Sequence, residues 1–366
     1  GLLVLVAGFF WRPLFTAGVW LPIGGGDLAS FFYPLYSFIY HSIQAGQFPL
    51  WNPYTFGGMP VAADVQSGMF YPPNLLAWYL LPSYDYGTLE WLLILHYIWA
   101  ILGMYLWLRD LRLLRLAAVA GAAAFAFCGF MTAHFGHMPM IFTAAWLPWN
   151  LLLARRAATR ANPLWVVLAG FALALTFLAG HPQTTLYEGL AVALYWLFLL
   201  WQADRPTPDP SAPPATGRFA FLAGVRRDPR SAPAIRLALI LLIAAGLSAV
   251  QFLPAQQLAG ESLRSAITYE EATEHAMQPV GLLNLLLPRV YGANPQNYWV
   301  PWQSTENWGY LGVVVLLLVA AGLVLRRDRR QGFLLALGGL ALLAMLGPFS
   351  VLFSWIHGLL PGFDRF

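Results

Sequence analysis

Charge is what this sequence has least of. Of 366 residues, 10% are charged, against about 25% in an average soluble chain, while 59% are hydrophobic and 16% aromatic. That supply cannot cover a water-facing surface, so a soluble globular domain is excluded. Cysteine is nearly missing: Cys128 stands alone, so no internal disulfide staples any loop outside a membrane. Lysine is absent, and all 20 basic residues are arginine. The net charge of +4 is modest and no block of five or six like charges stands apart, which argues against a nucleic-acid partner. There is no repeat of fixed period and no clear inverted symmetry between halves.

What is present is apolar length. A mean hydropathy of +0.61 leaves room for about eight to ten spanning helices of about 20 residues each. Apolar runs between charges predict nine spans, near 1–21, 89–108, 116–133, 139–154, 163–180, 185–201, 235–253, 310–325 and 332–353. The chain opens at Gly1 inside an apolar run and stops at Phe366 in a loop-like segment, so a truncated first span and a missing C-terminal continuation are expected. A signal-peptide reading of 1–10 fits less well, because no small-residue cleavage motif precedes Trp11-Arg12-Pro13.

The linkers sort by charge. Sixteen of the 20 arginines fall on one side, in the stretches 109–115, 155–160, 205–236 and 326–330, which the positive-inside rule makes cytoplasmic. The other side, or its membrane edge, holds 11 of the 16 acids and, on this topology, all seven histidines. It also carries two long segments, 22–88 and 254–309, whereas the Pro- and Arg-rich inner linker 202–234 reads as a flexible connector. Any acid-base chemistry is therefore expected outside.

In the first outer segment, Leu28, Phe31, Phe32, Leu35, Tyr36, Ile39, Tyr40 and Ile43 form a helical stripe. A helix of this length is expected to lie along the membrane surface, with Asp27 as its N-cap and a bend at Pro34. Asp27 is equally a candidate for chemistry, since a cap uses only part of a carboxylate. Beyond it, Trp51, Asn52 and Asp64 sit among aromatics and turn residues. They suit a sugar pocket, though residue type alone gives an interfacial aromatic belt the better claim.

Other groups face the same side. His134 and His137 flank a Gly-containing turn, a weak metal signal. Gly180-His181-Pro182-Gln183 lies at the mouth of a span that carries Glu188 about a turn in; this acid reads either as functional or as part of a polar tie between helices. Arg264 and Arg289 are scarce outer guanidiniums suited to a phosphate, or to a neighbouring glutamate or lipid headgroup. Glu270, Glu271 and Glu274 read as a solvated face, and Glu306 precedes Asn307-Trp308-Gly309-Tyr310.

The order of several short motifs resembles the YfhO-type bacterial membrane proteins of the GT-C glycosyltransferase superfamily. These motifs are Gly26-Asp27 with its aromatic helix, Gln47-Phe48-Pro49-Leu50-Trp51-Asn52, Phe56-Gly57-Gly58-Met59-Pro60, Gly68-Met69-Phe70-Tyr71-Pro72, Gly180-His181-Pro182-Gln183, Pro288-Arg289-Val290-Tyr291-Gly292, Glu306-Asn307-Trp308-Gly309-Tyr310-Leu311-Gly312 and Leu360-Pro361-Gly362-Phe363. Each is short; their joint order spans nearly the whole chain. The resemblance implies an all-α polytopic GT-C-like bundle in a bacterial cytoplasmic membrane, and further spans in relatives beyond the last motif. It also implies sugar transfer from a polyprenyl-phosphate donor to an envelope polymer or lipid acceptor, such as a teichoic acid, outside the membrane. The essential acid of such enzymes falls by position on Asp27, with Asp64 a looser second.

On that reading Asp27 is the base and Arg264 the phosphate contact, with Arg289 in reserve. Trp51, Asn52, His181, Gln183, Glu188 and Glu306 are candidate substrate contacts, and a divalent cation is optional. The rival expectation is a transporter or lipid-linked-saccharide flippase, and a third is a non-catalytic envelope scaffold.

Overall fold

The computed structural model describes residues 1–21, 27–160, 162–202, 231–262, 268–274, 276–292, 309–325 and 327–359. Among these the protein is all-helical, and one isolated bridge, Asn52 to Met59, is the only β pairing. The α-helices, in chain order, are α1 (Leu2–Phe9), α2 (Trp11–Phe15), α3 (Tyr33–Gln44), α4 (Pro72–Leu80), α5 (Tyr86–Asp110), α6 (Arg115–Ala126), α7 (Gly129–Ala133) and α8 (Met138–Ala144). They continue as α9 (Leu147–Thr159), α10 (Leu164–Leu178), α11 (Pro182–Gln202), α12 (Ser231–Gly260), α13 (Tyr269–Thr273), α14 (Val313–Leu325), α15 (Arg329–Met345) and α16 (Val351–Leu359).

Among the described residues, four helical segments are long and apolar enough to cross a membrane: Tyr86–Asp110, Arg115–Ala133, Pro182–Gln202 and Ala232–Gly260. The other expected spans are shorter or divided. The run 1–21 breaks at Phe10 into α1 and α2, and 139–154 divides into α8 and α9, where Pro148 sits in the first turn of the second piece. Proline lacks the N–H that would continue a preceding helix, so it opens a new one instead. α10 and α14, at 15 and 13 residues, are apolar but shorter than a full crossing. The described part of the inner linker is limited to its two ends, with 203–230 outside the described residues.

α5 is the axis of the bundle. It starts at a capping box in which Asp85 accepts from the Thr88 amide at 2.9 Å, and it runs 25 residues. It ends in a Schellman-type turn, with Arg112 in the left-handed region at φ 66° and the Leu113 amide donating to Leu108 at 3.1 Å. Around it α1, α6, α8 and α9 pack, and α10 packs in turn on α9 and α12. Small residues permit these approaches. A Cβ on Gly103 would lie 2.4 Å from the Trp149 indole, and one on Gly170 would lie 2.7 Å from Ile243 of α12. By contrast, much of the apolar surface of α12, α14 and α15 meets no protein: Leu242, Leu253, Val314, Leu317 and Leu335 are half exposed or more. Such a surface belongs against hydrocarbon.

The charges separate to the two ends of this bundle. At one end Asp110, at the close of α5, takes Arg155 at 2.9 Å, Arg156 at 3.1 Å and Arg160 at 3.2 Å. Arg236 of α12 donates there to the carbonyls of Ala157 and Arg160, and Arg330 reaches Leu111. At the other end the long first segment folds back on the bundle. The stripe expected to meet the membrane surface is instead buried in protein. A π-type turn, Leu28–Phe32, leads into α3, and Tyr36 packs edge-on to Trp78 of α4 at 5.3 Å while Tyr40 stacks on Tyr84 at 5.6 Å. Pro34, in the first turn of α3, lacks an amide for an ordinary i to i−4 bond, which suits the wider turn before it.

If Gly170 sets the spacing of α10 and α12, Gly170→Val should destabilise the protein by about 1–3 kcal/mol, seen as a lower melting temperature in detergent. Gly189→Ala, placed where a Cβ meets open space, should not.

Candidate functional site

Three segments far apart in sequence converge at the end opposite the arginines. The first begins at Asp27, just before the π-type turn. Its carboxylate makes no capping hydrogen bond, contrary to the expected N-cap role, and stands 57% exposed. It meets instead the Nε2 of His137 at 3.3 Å. His137 lies in the turn between α7 and α8, where its ring is 5.6 Å from that of His134. The His134 Nδ1 bonds the Phe130 carbonyl at 2.8 Å, which leaves Nε2 as its proton-accepting nitrogen. The His137 Nδ1 is buried with no hydrogen-bond partner.

The third segment is Gly180-His181. Gly180 adopts φ +104°, and a Cβ there would stand 3.0 Å from the Val65 carbonyl and 3.3 Å from Pro139. Glycine therefore lets this turn press against both the first segment and α8. His181 caps α11: its Nδ1 accepts from the Thr184 amide at 3.2 Å and bonds the Thr184 hydroxyl at 2.7 Å. Burial, with smaller contributions from the charges of His134 and His137, holds its imidazole down at about 4, so it is neutral at physiological pH. Gln183 bonds Tyr187 at 3.0 Å along the same helix.

Asp64 sits on the short 3₁₀ turn Val65–Ser67 that Gly180 touches. It caps that turn, accepting from the Gln66 amide at 3.0 Å, and burial pushes its carboxyl up to about 6. Gln251 of α12 ties the same segment down through the Ala62 carbonyl at 2.9 Å. Two other expected contacts are otherwise engaged. Asn52 is buried and closes a local turn, accepting from the Tyr54 amide at 2.9 Å and donating to Thr55 at 3.1 Å, so it is not offered to a ligand. Trp51 is half exposed with its ring laid over Gly58, which has φ +125°.

Glu188 is not part of this convergence. It is buried between helices, where its Oε2 accepts from Asn150 at 3.4 Å, and Asn150 also donates to Thr176 at 2.8 Å. The tie between α9, α10 and α11 is the structural alternative that the sequence left open. Nor does His96 face outward as the topology expected. It is buried in α5 between the Tyr71 hydroxyl at 2.8 Å and the Leu92 carbonyl at 2.6 Å, and Trp146 extends the chain to Tyr71.

Arg289 lines a cavity of about 160 Å³ together with Gly129, Thr132, Asn284, Pro288 and Tyr310. It takes φ 61°, a conformation that a non-glycine residue holds only when its surroundings impose it. Asn284 is buried and its Nδ2 has no acceptor, so the cavity offers an N–H beside a guanidinium. Both are donors and suit an anion, whereas the Thr132 hydroxyl on the same wall donates to the Cys128 carbonyl at 3.1 Å. Thr132 is on α7, five residues before His137, so one short stretch of chain serves both the cavity and the Asp27–His137 pair. Arg264 and Glu306 lie outside the described residues. Among the described residues, no group of three His, Cys, Asp or Glu side chains is arranged to hold a metal ion.

The site is thus an exposed carboxylate held by a histidine, two further histidines beside it, and a nearby donor-lined cavity, at one end of a helical protein with four helices able to cross a membrane. No protein-family model, no curated protein and no solved structure matches the chain. Nothing in the local sequence pairs Asp27 with His137, whose only local pattern is the weak metal signal it shares with His134. The pair's one signal was two polar turns assigned to the same side.

Gly180→Ala should cost about 1–3 kcal/mol in thermal unfolding, through a strained φ and the contact with Val65. The two shifted groups oppose each other with pH. Asp64, raised, contributes stability that is present below its ordinary 3.8 and lost as pH rises through about 6. His181, lowered, contributes stability that is present above its ordinary 6.5 and lost as pH falls through about 4. Asp64→Asn should remove the first and leave a melting temperature that drops more steeply between pH 6.5 and 4 than in the parent protein.

Proposed function

We propose that the protein is a membrane glycosyltransferase of the GT-C type, with about nine spans in the complete fold and its site on the extracytoplasmic side of a bacterial cytoplasmic membrane. It moves a sugar from a polyprenyl-phosphate carrier to an envelope polymer or lipid hydroxyl. The observation that carries this reading is the free carboxylate of Asp27, released from capping and paired with His137 beside a cavity lined by Arg289.

The chemistry balances on these groups. The acceptor O–H gives its proton to the Asp27 carboxylate while its oxygen attacks the anomeric carbon. The bond from that carbon to the phosphate oxygen breaks, and the electron pair leaves with the polyprenyl phosphate. The leaving group is already an anion and needs stabilisation rather than protonation, which Arg289 and the Asn284 amide offer. His137 positions the carboxylate through its Nε2–H. A divalent cation, if one is used, would add a further charge on the phosphate.

A transporter or flippase is the second reading, favoured by the one Glu188 oxygen that the helix tie leaves over, Oε1, buried with no hydrogen-bond partner. Asp27→Asn separates the two. The amide oxygen still accepts from His137, so stability should stay within about 0.5 kcal/mol. Transfer from a radiolabelled polyprenyl-phosphate sugar in membranes should fall at least about 100-fold. Unchanged transfer removes Asp27 as the base. Label translocated but never transferred, with Glu188→Gln rather than Asp27→Asn impaired, favours transport.

A further inference from the structure

The arginine-rich end contains a second small site that the proposed chemistry does not use. Among the described residues it gathers Arg109, Arg112, Arg115, Arg155, Arg156, Arg160, Arg236, Arg327, Arg329 and Arg330, against Asp110 and Asp328 alone. Asp110 is already shared by three guanidiniums, and Asp328 caps α15 through the Gln331 amide at 2.8 Å. Guanidinium does not titrate in this range, so the surplus of positive charge is permanent.

The surplus has a cavity. At the seam where α15 meets α5, α9 and α11, Arg155, Arg330, Gln202, Tyr195 and Trp107 line a cleft whose enclosed part measures about 20 Å³. That is room for one water-sized group, such as a phosphate oxygen. Trp107 is buried there, edge-on to the Tyr195 ring at 6.0 Å. Arg155 spends its Nε on Asp110 and Arg330 one N–H on the Leu111 carbonyl at 3.5 Å, so each guanidinium, with five N–H donors, still has some to offer an anion in the cleft.

The walls describe the rest of the ligand. Phe333 of α15 stacks on Phe198 of α11 at 4.3 Å, and Arg329 lies over the Trp201 ring at 5.1 Å. From this mouth the apolar surface continues along both helices through half-exposed Leu197, Leu334 and Leu335, toward the part of the protein that hydrocarbon must cover. A free anion would use the donors and ignore this surface. A phospholipid would use both.

We propose that this cleft binds the headgroup phosphodiester of an anionic phospholipid, whose acyl chains lie along α11 and α15. The lipid bridges the arginine-bearing ends of α9 and α15 and offsets their mutual repulsion.

The test is native mass spectrometry of the detergent-purified full chain titrated with phosphatidylglycerol, with phosphatidylcholine and inorganic phosphate as separate arms. A one-to-one phosphatidylglycerol adduct is expected. Its affinity should fall about tenfold in Arg330→Gln and less than twofold in Arg115→Gln, an exposed arginine at the same end but outside the cleft. Gln202→Glu, which sets a carboxylate in the cleft, should weaken binding at least tenfold and covers the case in which Arg330→Gln does not fold. Equal binding of phosphatidylcholine overturns the proposal. So does equal loss in Arg115→Gln, which would mark a diffuse surface charge, or inorganic phosphate binding as tightly as the lipid.

Discussion

Among the described residues four helices are apolar enough for a membrane, and hydrocarbon cannot solvate a charge; the placing of the ionic groups fits that constraint. Every ionic group must sit at an end of the bundle or find a partner inside it. α5 makes the separation, because it begins at the Asp85 capping box near the candidate site and ends at Asp110 among the arginines. At about 1.5 Å per residue, its 25 residues hold the two ends roughly 37 Å apart. The polar groups between them are tied in short internal chains, Trp146 to Tyr71 to His96 on one side and Asn150 to Thr176 and Glu188 on the other. Such chains also fix which helix faces meet, since breaking one leaves a donor or acceptor unpaired in a medium without water.

The two ends are built by different physics. At the arginine end one carboxylate is oversubscribed, so the surface keeps a fixed positive charge and a cleft that Arg155 and Arg330 line. At the other end burial acts on titratable groups, holding His181 neutral and raising Asp64, while Asp27 remains exposed beside His137. The buried stripe of α3 and the open φ of Gly180 bring the parts together there. Both press the first long segment onto the helices, so that a loop carboxylate faces a turn more than 100 residues away.

Part of this was legible in the sequence. Low charge and long apolar runs required helices suited to a membrane, and the clustering of arginine in alternate linkers required those linkers to share an end. The stripe from Leu28 to Ile43 was legible as a helix face, but periodicity says that a face is covered and not by what. Here Trp78, Tyr84 and α4 cover it, where a membrane surface was expected. Asp27 before that helix fitted a cap, and Asn52 among aromatics fitted a ligand contact. Each took a different role because the nearest competing partner, His137 or Thr55, comes from the folded loop geometry.

The sequence by itself determined that helices apolar enough for a membrane form and how the charges sort along the chain, since both depend on composition and order. Only the tertiary structure decided that Asp27 meets His137, that Glu188 is turned into a helix tie, and that Arg289 lines a cavity with an unpaired amide. A hydrogen bond or ion pair is settled within about 3.5 Å. Residues so far apart in the chain reach that distance only through the packing of everything between them.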